Sequence, residues 1–131
     1  DLKAAGYLTI IVTNQPDVAR GWVKVEMVHA VNDKINEMLH VDEIKICFHT
    51  DKDNCSCRKP RPGMLLEAAQ TWSVDLGKSY MIGDRYSDVA AGVSAGCTSI
   101  LVGPGDERKD FPEPAVTVPS LLEGTRWILA Q

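Results

Sequence analysis

Long apolar runs are missing from this sequence: no stretch approaches the roughly 20 residues that a membrane-spanning helix needs, which excludes a transmembrane protein and leaves no membrane partner. Positive charge is also short. Fourteen Lys and Arg stand against 18 Asp and Glu, a net charge of −4, which argues against nucleic acid as a partner because such binding uses a basic face. Internal repeats, low-complexity tracts, an initiator Met and a visible signal peptide are absent too. The opening Asp1-Leu2-Lys3-Ala4-Ala5-Gly6 has instead the character of a helix's last turns ending at glycine, so the chain is read as beginning within a fold. At 131 residues with 44% hydrophobic side chains, a single domain over 1–131, able to bury one core, is expected.

Cysteine is sparse, four in all, but three lie together in the stretch Cys47 to Met64, CFHTDKDNCSCRKPRPGM. Cys47, His49, Cys55 and Cys57 stand as Cys-x-His and then Cys-x-Cys, a ligand set that suits tetrahedral zinc. Four protein ligands make a closed, structural site, so Zn2+ is expected to shape a loop. Two disulfides or free thiols are the competing readings. Cys55 and Cys57 are too close to bridge each other without strain, and His49 at ligand spacing would then be coincidence, so zinc is favoured. Thiolate ligands favour a reducing compartment, hence the cytoplasm. Arg58 and Lys59 follow the last ligand directly and, with Arg61, form a local cation cluster suited to a small anion. Cys97, just before an apolar run, reads as a small buried residue.

Read in order, Tyr7 to Val12 is an apolar, β-branched run of the kind buried on both faces of a parallel sheet, and it ends in Thr13-Asn14-Gln15. Open α/β sheets bind ligands at the carboxyl ends of their strands, which makes Thr13 and Asn14 site candidates by position. A hydroxyl bonded to its own loop is the plainer account of Thr13. From Gly21 to His40, Val28, Val31, Ile35 and Leu39 recur at helical spacing and predict an amphipathic helix laid on the sheet. Ile44 to His49 is a second strand, Pro62 to Ser73 a helix with Met64, Leu65, Ala68, Ala69 and Trp72 inward, and Tyr80 to Gly83 a third strand. Val89 to Ala95 is helical, Thr98 to Val102 a fourth strand, Ala115 to Val118 an edge strand, and Ser120 caps a terminal helix. The tryptophans read as packing residues. Alternating strands and helices imply an α/β fold, a three-layer α/β/α sandwich around a parallel Rossmann-like sheet with a zinc-bound loop.

The strand ends then assemble one inventory: Thr13 and Asn14, Arg58 and Lys59, and Asp84, Arg85 and Asp88. Hydroxyl and amide donors, cations and two carboxylates able to hold Mg2+ suit a phosphoryl group, whose transfer is catalysed mainly by positioning and charge neutralisation. For Asp88 a simple helix-capping role competes with metal binding, whereas Asp84, at the strand tip, is favoured as the cation ligand.

The series Val12-Thr13-Asn14-Gln15, Cys57-Arg58-Lys59-Pro60-x-Pro62-Gly63-Met64 and Gly83-Asp84-Arg85-x-Ser87-Asp88 resembles, in that order, the haloacid dehalogenase superfamily of aspartate-nucleophile phosphatases. With the zinc ligands abutting Arg-Lys-Pro it is most similar to the D-glycero-D-manno-heptose 1,7-bisphosphate phosphatases and the related histidinol-phosphate phosphatases. The resemblance implies that Thr13, Asn14 and Gln15 meet the phosphorylated substrate, that Thr13, Lys59 and Asp84 are catalytic, and that Arg58 and Arg85 recognise the substrate. It also implies magnesium at Asp84 with Asp88 in support, zinc on Cys47, His49, Cys55 and Cys57, and a monomer. The family's first motif, an Asp-x-Asp that carries the nucleophile, has no counterpart in these residues. On the order of 30 residues, a strand and its following turn and helix start, are therefore expected to be lacking, with a groove in the sheet and no turnover by the 131 residues alone. A histidinol-phosphate phosphatase, another small phosphomonoesterase and a non-catalytic phosphate-binding module are the alternative functions.

Overall fold

The computed structural model describes residues 1–131. Its strands form where apolar and β-branched residues cluster: β1 (Ile10–Asn14), β2 (Glu43–Cys47), β3 (Tyr80–Gly83), β4 (Thr98–Val102) and β5 (Val116–Val118). Between them run α1 (Pro16–Ala19), α2 (Val25–Leu39), α3 (Gly63–Trp72) and α4 (Tyr86–Ala95), with a 3-10 turn at Leu76–Lys78, and α5 (Leu121–Leu129) follows the last strand. Every strand pair is parallel, which requires crossover connections: helices supply them between β1 and β2 and between β3 and β4, and the loop 103–115 supplies the one between β4 and β5.

The sheet comes in two pieces, β1–β2 and β3–β4–β5. One side of β1 and one side of β3 are thus without a strand partner, in line with the expected groove. This corrects the reading of β1 as a strand buried on both faces: all five of its residues are only half-buried, because it has one neighbour instead of two. It is also shifted along the chain from the expected Tyr7 to Val12, beginning at Ile10 and taking in Thr13 and Asn14.

Most of the core lies in the second half of the chain. Leu65 of α3 meets Met81 of β3 and Ala91 and Ala95 of α4, with Val12 of β1 and Cys97 packed against them. A second cluster joins Ile100, Val118 and Ile128, flanked by Tyr80 and Trp127, whose rings meet edge-on at 6.3 Å. Helix α4 approaches the sheet so closely that a Cβ at Gly92 would lie 2.6 Å from the Met81 Cβ, a distance that only glycine avoids. Burial against this cluster pushes the Cys97 thiol above its usual value.

Helix α2 keeps its expected period but shows a different face. Val28 is buried and Ile35 half-buried, yet Val31 and Leu39 are 52% and 59% exposed, and Asn32 takes the buried position between them. A 15-residue helix extends roughly 22 Å, and two strands about 4.8 Å apart are too narrow to cover such a stripe. The tryptophans also divide: Trp127 packs in the core, whereas Trp72 is 39% and Trp22 73% exposed. Helix α4 starts at Tyr86, three residues before the expected Val89, which places Asp88 inside its first turn. No helix is long and apolar enough to cross a membrane.

Candidate phosphate and metal site

One side chain connects the two halves of the sheet. Lys59 Nζ donates to the Val12 carbonyl of β1 at 3.1 Å and to Asp88 Oδ1 of α4 at 2.5 Å, with the two charged side chains only 11% and 7% exposed. Asn14, the last residue of β1, grips the Lys59 peptide from both directions. Its Nδ2 donates to the Lys59 carbonyl at 3.3 Å, and its Oδ1 accepts the Lys59 N–H at 3.2 Å. Beside it, Gln15 Nε2 donates to Thr13 Oγ1 at 3.1 Å, and the Gln15 N–H extends the β1–β2 ladder to the Cys47 carbonyl at 2.7 Å. Of the strand-end residues, Asn14 contacts Lys59 directly, and Thr13 and Gln15 are bonded to each other beside it in the chain.

On the other side of the rim, Gly83 ends β3 directly beneath Asp88. A Cβ at Gly83 would lie 2.3 Å from Asp88 Oδ2, so a larger residue would expel the carboxylate that pairs with Lys59. Asp88 Oδ2 also accepts the Arg85 N–H at 3.2 Å. Both oxygens of Asp88 are therefore engaged by protein: it caps the helix and neutralises the lysine at once. Asp84 and Arg85 are exposed, and the Asp84 carboxylate makes no hydrogen bond or ion pair, which leaves it the open oxygen donor of the pair. Arg58 turns back over the metal loop, its Nε on Asp51 Oδ1 at 2.6 Å and its Nη1 on the His49 carbonyl at 3.3 Å. The guanidinium of Arg58 holds the Asp51 carboxyl below the usual carboxylate range.

Cys47, His49, Cys55 and Cys57 come together as the spacing predicts, every ligand atom within 4.8 Å of the others. Cys47 Sγ lies 3.4 Å from His49 Nδ1 and 3.9 Å from Cys55 Sγ, the latter close to the separation of about 3.8 Å for sulfurs around one tetrahedral zinc, whereas Cys57 Sγ stands nearer, 2.8 Å from Cys47 Sγ and 3.2 Å from His49 Nδ1. All four cysteines are free thiols, so the disulfide alternative falls. Burial pushes the Cys57 thiol up to about 12, with Cys47 and Cys55 adding to the effect. Burial also opposes ionisation of Cys55, but N–H donors from Arg58 and Cys57 outweigh it and bring that thiol down to about 7. Three thiols and an imidazole gathered within 4.8 Å fit zinc by donor type and by number.

Arg61 departs from the sequence reading. Its guanidinium donates to the Cys55 carbonyl and, at 3.5 Å, to the Asp53 carbonyl, so it braces the metal loop and is not part of a free cation cluster. Sequence reasoning also missed Gly63, whose Cβ would lie 2.2 Å from the Ser56 carbonyl oxygen, and the two-way grip of Asn14 on Lys59. The Gly after Pro62 is the one signal that could have revealed how tightly α3 backs onto the metal loop.

A HAD-hydrolase-like family model matches residues 56–123, just over half of the chain. The chain is 36% identical over 130 residues to D-glycero-beta-D-manno-heptose-1,7-bisphosphate 7-phosphatase from Bordetella bronchiseptica, a match that covers 95% of this chain and 70% of that protein. With the enzyme of the same name from Helicobacter pylori it shares 32% identity over 132 residues, covering 96% of this chain and 75% of the relative. The crystal structure of D,D-heptose 1,7-bisphosphate phosphatase from B. bronchiseptica, complexed with magnesium and phosphate, matches the fold with a TM-score of 0.88 at 33% identity, over 98% of this chain and 78% of that one. The motif order, the rim built around Lys59 and these matches agree: the chain belongs to the HAD-like hydrolases, among their phosphomonoesterases.

Proposed function

We propose that this protein is a magnesium-dependent phosphatase of D-glycero-D-manno-heptose 1,7-bisphosphate whose rim residues bind and neutralise the phosphoryl group. The observation that carries the reading is the placement of Lys59, anchored by Asn14 and Asp88 between the open sides of β1 and β3. In this reading Thr13 and Asn14 offer hydroxyl and amide donors to phosphoryl oxygens, and Gln15 orients the Thr13 hydroxyl. Lys59 supplies the positive charge, Arg85 faces the rest of the substrate, Arg58 joins it on release from Asp51 and the His49 carbonyl, and Asp84 holds magnesium while Asp88 secures the loop around it. Magnesium, when bound, neutralises phosphoryl oxygens and orients them for in-line attack. The same rim contains no free nucleophile: Asp88 is occupied, and Asp84 is assigned to the metal. The attacking carboxylate, which would form an aspartyl phosphate, is therefore assigned to a segment outside these 131 residues. Cys47, His49, Cys55 and Cys57 take zinc as a structural brace. The magnesium and phosphate in the B. bronchiseptica structure support the metal and the substrate class.

Calorimetric binding of inorganic phosphate with magnesium, competed by heptose bisphosphate and by histidinol phosphate, tests the proposal, with zinc analysis of the same sample. Phosphate binding that needs both magnesium and Lys59, displaced more effectively by heptose bisphosphate than by histidinol phosphate, is the expected result. Lys59→Ala binding phosphate as well as the parent chain would remove the assignment. Magnesium-dependent turnover by the 131 residues alone would refute the outside nucleophile.

A further inference from the structure

Trp22 is hard to account for as a packing residue. Its indole is 73% exposed, yet its backbone is pinned: the N–H groups of Trp22 and Val23 both donate to the Asp17 carbonyl, at 2.9 and 3.3 Å. One face of the ring carries the Arg20 guanidinium, 5.3 Å from the centroid, and Asp17 Oδ1 holds Arg20 in turn at 3.1 Å. The indole also borders a hollow of about 340 Å³ whose remaining walls are Val23, Lys24, Glu26 and Met27.

A second hollow, of about 140 Å³, shares Val23 and Met27 with the first and reaches Gln15, the residue bonded to Thr13. Asn32 lines this second hollow. It is only 8% exposed, and its Nδ2 has no hydrogen-bond partner, an expensive arrangement for a buried donor unless an acceptor oxygen is delivered to it. Two adjoining hollows thus lie between Gln15 at the end of β1 and the Trp22 indole, with one unused donor in the wall of the nearer one.

A sugar presents apolar C–H faces and hydroxyl edges. The first match an aromatic face and the second match isolated donors, and a pocket of this size with few polar groups is ordinary for a small ligand. We propose that Trp22 and Asn32 form the sugar subsite of this phosphatase, the indole stacking on the C–H face of the substrate and the Asn32 amide donating to one of its oxygens. The inference rests on the phosphatase reading above and adds the residues that select a sugar ester over other phosphate esters.

Binding of D-glycero-D-manno-heptose 1,7-bisphosphate and of inorganic phosphate, each with magnesium, is to be measured by calorimetry for the parent chain, Trp22→Ala, Trp22→Tyr and Asn32→Leu. Thermal melts serve as the folding control, and exposure makes Trp22 a safe position to truncate. The subsite predicts that heptose bisphosphate binds more tightly than phosphate and that Trp22→Ala loses about five- to tenfold of its affinity. Trp22→Tyr restores most of that loss, Asn32→Leu also weakens the sugar ester, and phosphate binding is unchanged throughout. If phosphate binds but the sugar adds nothing, or its gain survives Trp22→Ala, the subsite is wrong and the phosphatase reading stands. If the parent chain binds neither ligand, both fall together.

Discussion

Lys59 and Asp88 are an ion pair taken almost wholly out of water, and such pairs are fragile to the loss of one member. Asp88→Ala leaves the ammonium with only the Val12 carbonyl, which cannot neutralise it. A loss of about 3 kcal/mol is expected in urea denaturation, and pairing that change with Lys59→Met should recover much of it, because the lone buried charge is then gone. Lys59 was legible in the sequence because its neighbours in the chain, the metal ligands before it and the prolines around it, mark a built loop. Its counter-ion was harder to see. Asp88 reads equally as a cap or a metal ligand until its distance to a residue 29 positions away is known. Arg61 was misread for a similar reason: nothing local says that a third cation will turn inward to the carbonyls of Asp53 and Cys55.

Strand β2 and helix α3 are joined by side chains as well as by packing. Trp72 Nε1 donates to Glu43 Oε2 at 2.6 Å, and Lys45, 9% exposed, reaches Glu67 at 2.8 Å and Glu43 at 3.3 Å. The indole N–H of Trp72, aided by Lys45, holds the Glu43 carboxyl below its usual 4.5. Burial works against the charge of Lys45, but Glu67 and Glu43 outweigh it and keep its ammonium above the usual 10.5. The Glu43 contribution is therefore complete above about pH 4.5 and disappears as pH falls through the depressed folded value. That of Lys45 is complete below 10.5 and disappears as pH rises through the raised one. Melting curves should fall off at both extremes, and Glu43→Gln should flatten the acid limb; an unchanged acid limb would show that the link does not operate. At this scale the sequence placed every major strand and helix because each carries its own period. It could not fix which face α2 turns inward, since that depends on how wide a sheet lies beneath Val31 and Leu39.

Across the whole molecule, burial is lopsided. Only Val28 and Cys47 of the buried hydrophobic residues precede Met64, whereas β3, β4 and β5 pack with α3, α4 and α5 in two core clusters. Hydrogen exchange should accordingly show the amides of β1 and β2 opening well before those of β3 and β4, with the metal loop as the exception if zinc holds it. Uniform protection across both sheet pieces would contradict this picture. The parallel α/β layering followed directly from the alternation of elements. The division of the sheet into two pieces was expected only from the resemblance, because the periodicity of each strand says nothing of which strands pair.

The outer flank of β2 carries its own deterrent, the inward lysine at position 45, which discourages another strand from adding there. The inner margins of β1 and β3 have no such guard except the ammonium of Lys59 on a single carbonyl. Crowding will therefore tend to knit copies together along that seam before any other, which favours dilute handling and makes light scattering the first sign of trouble.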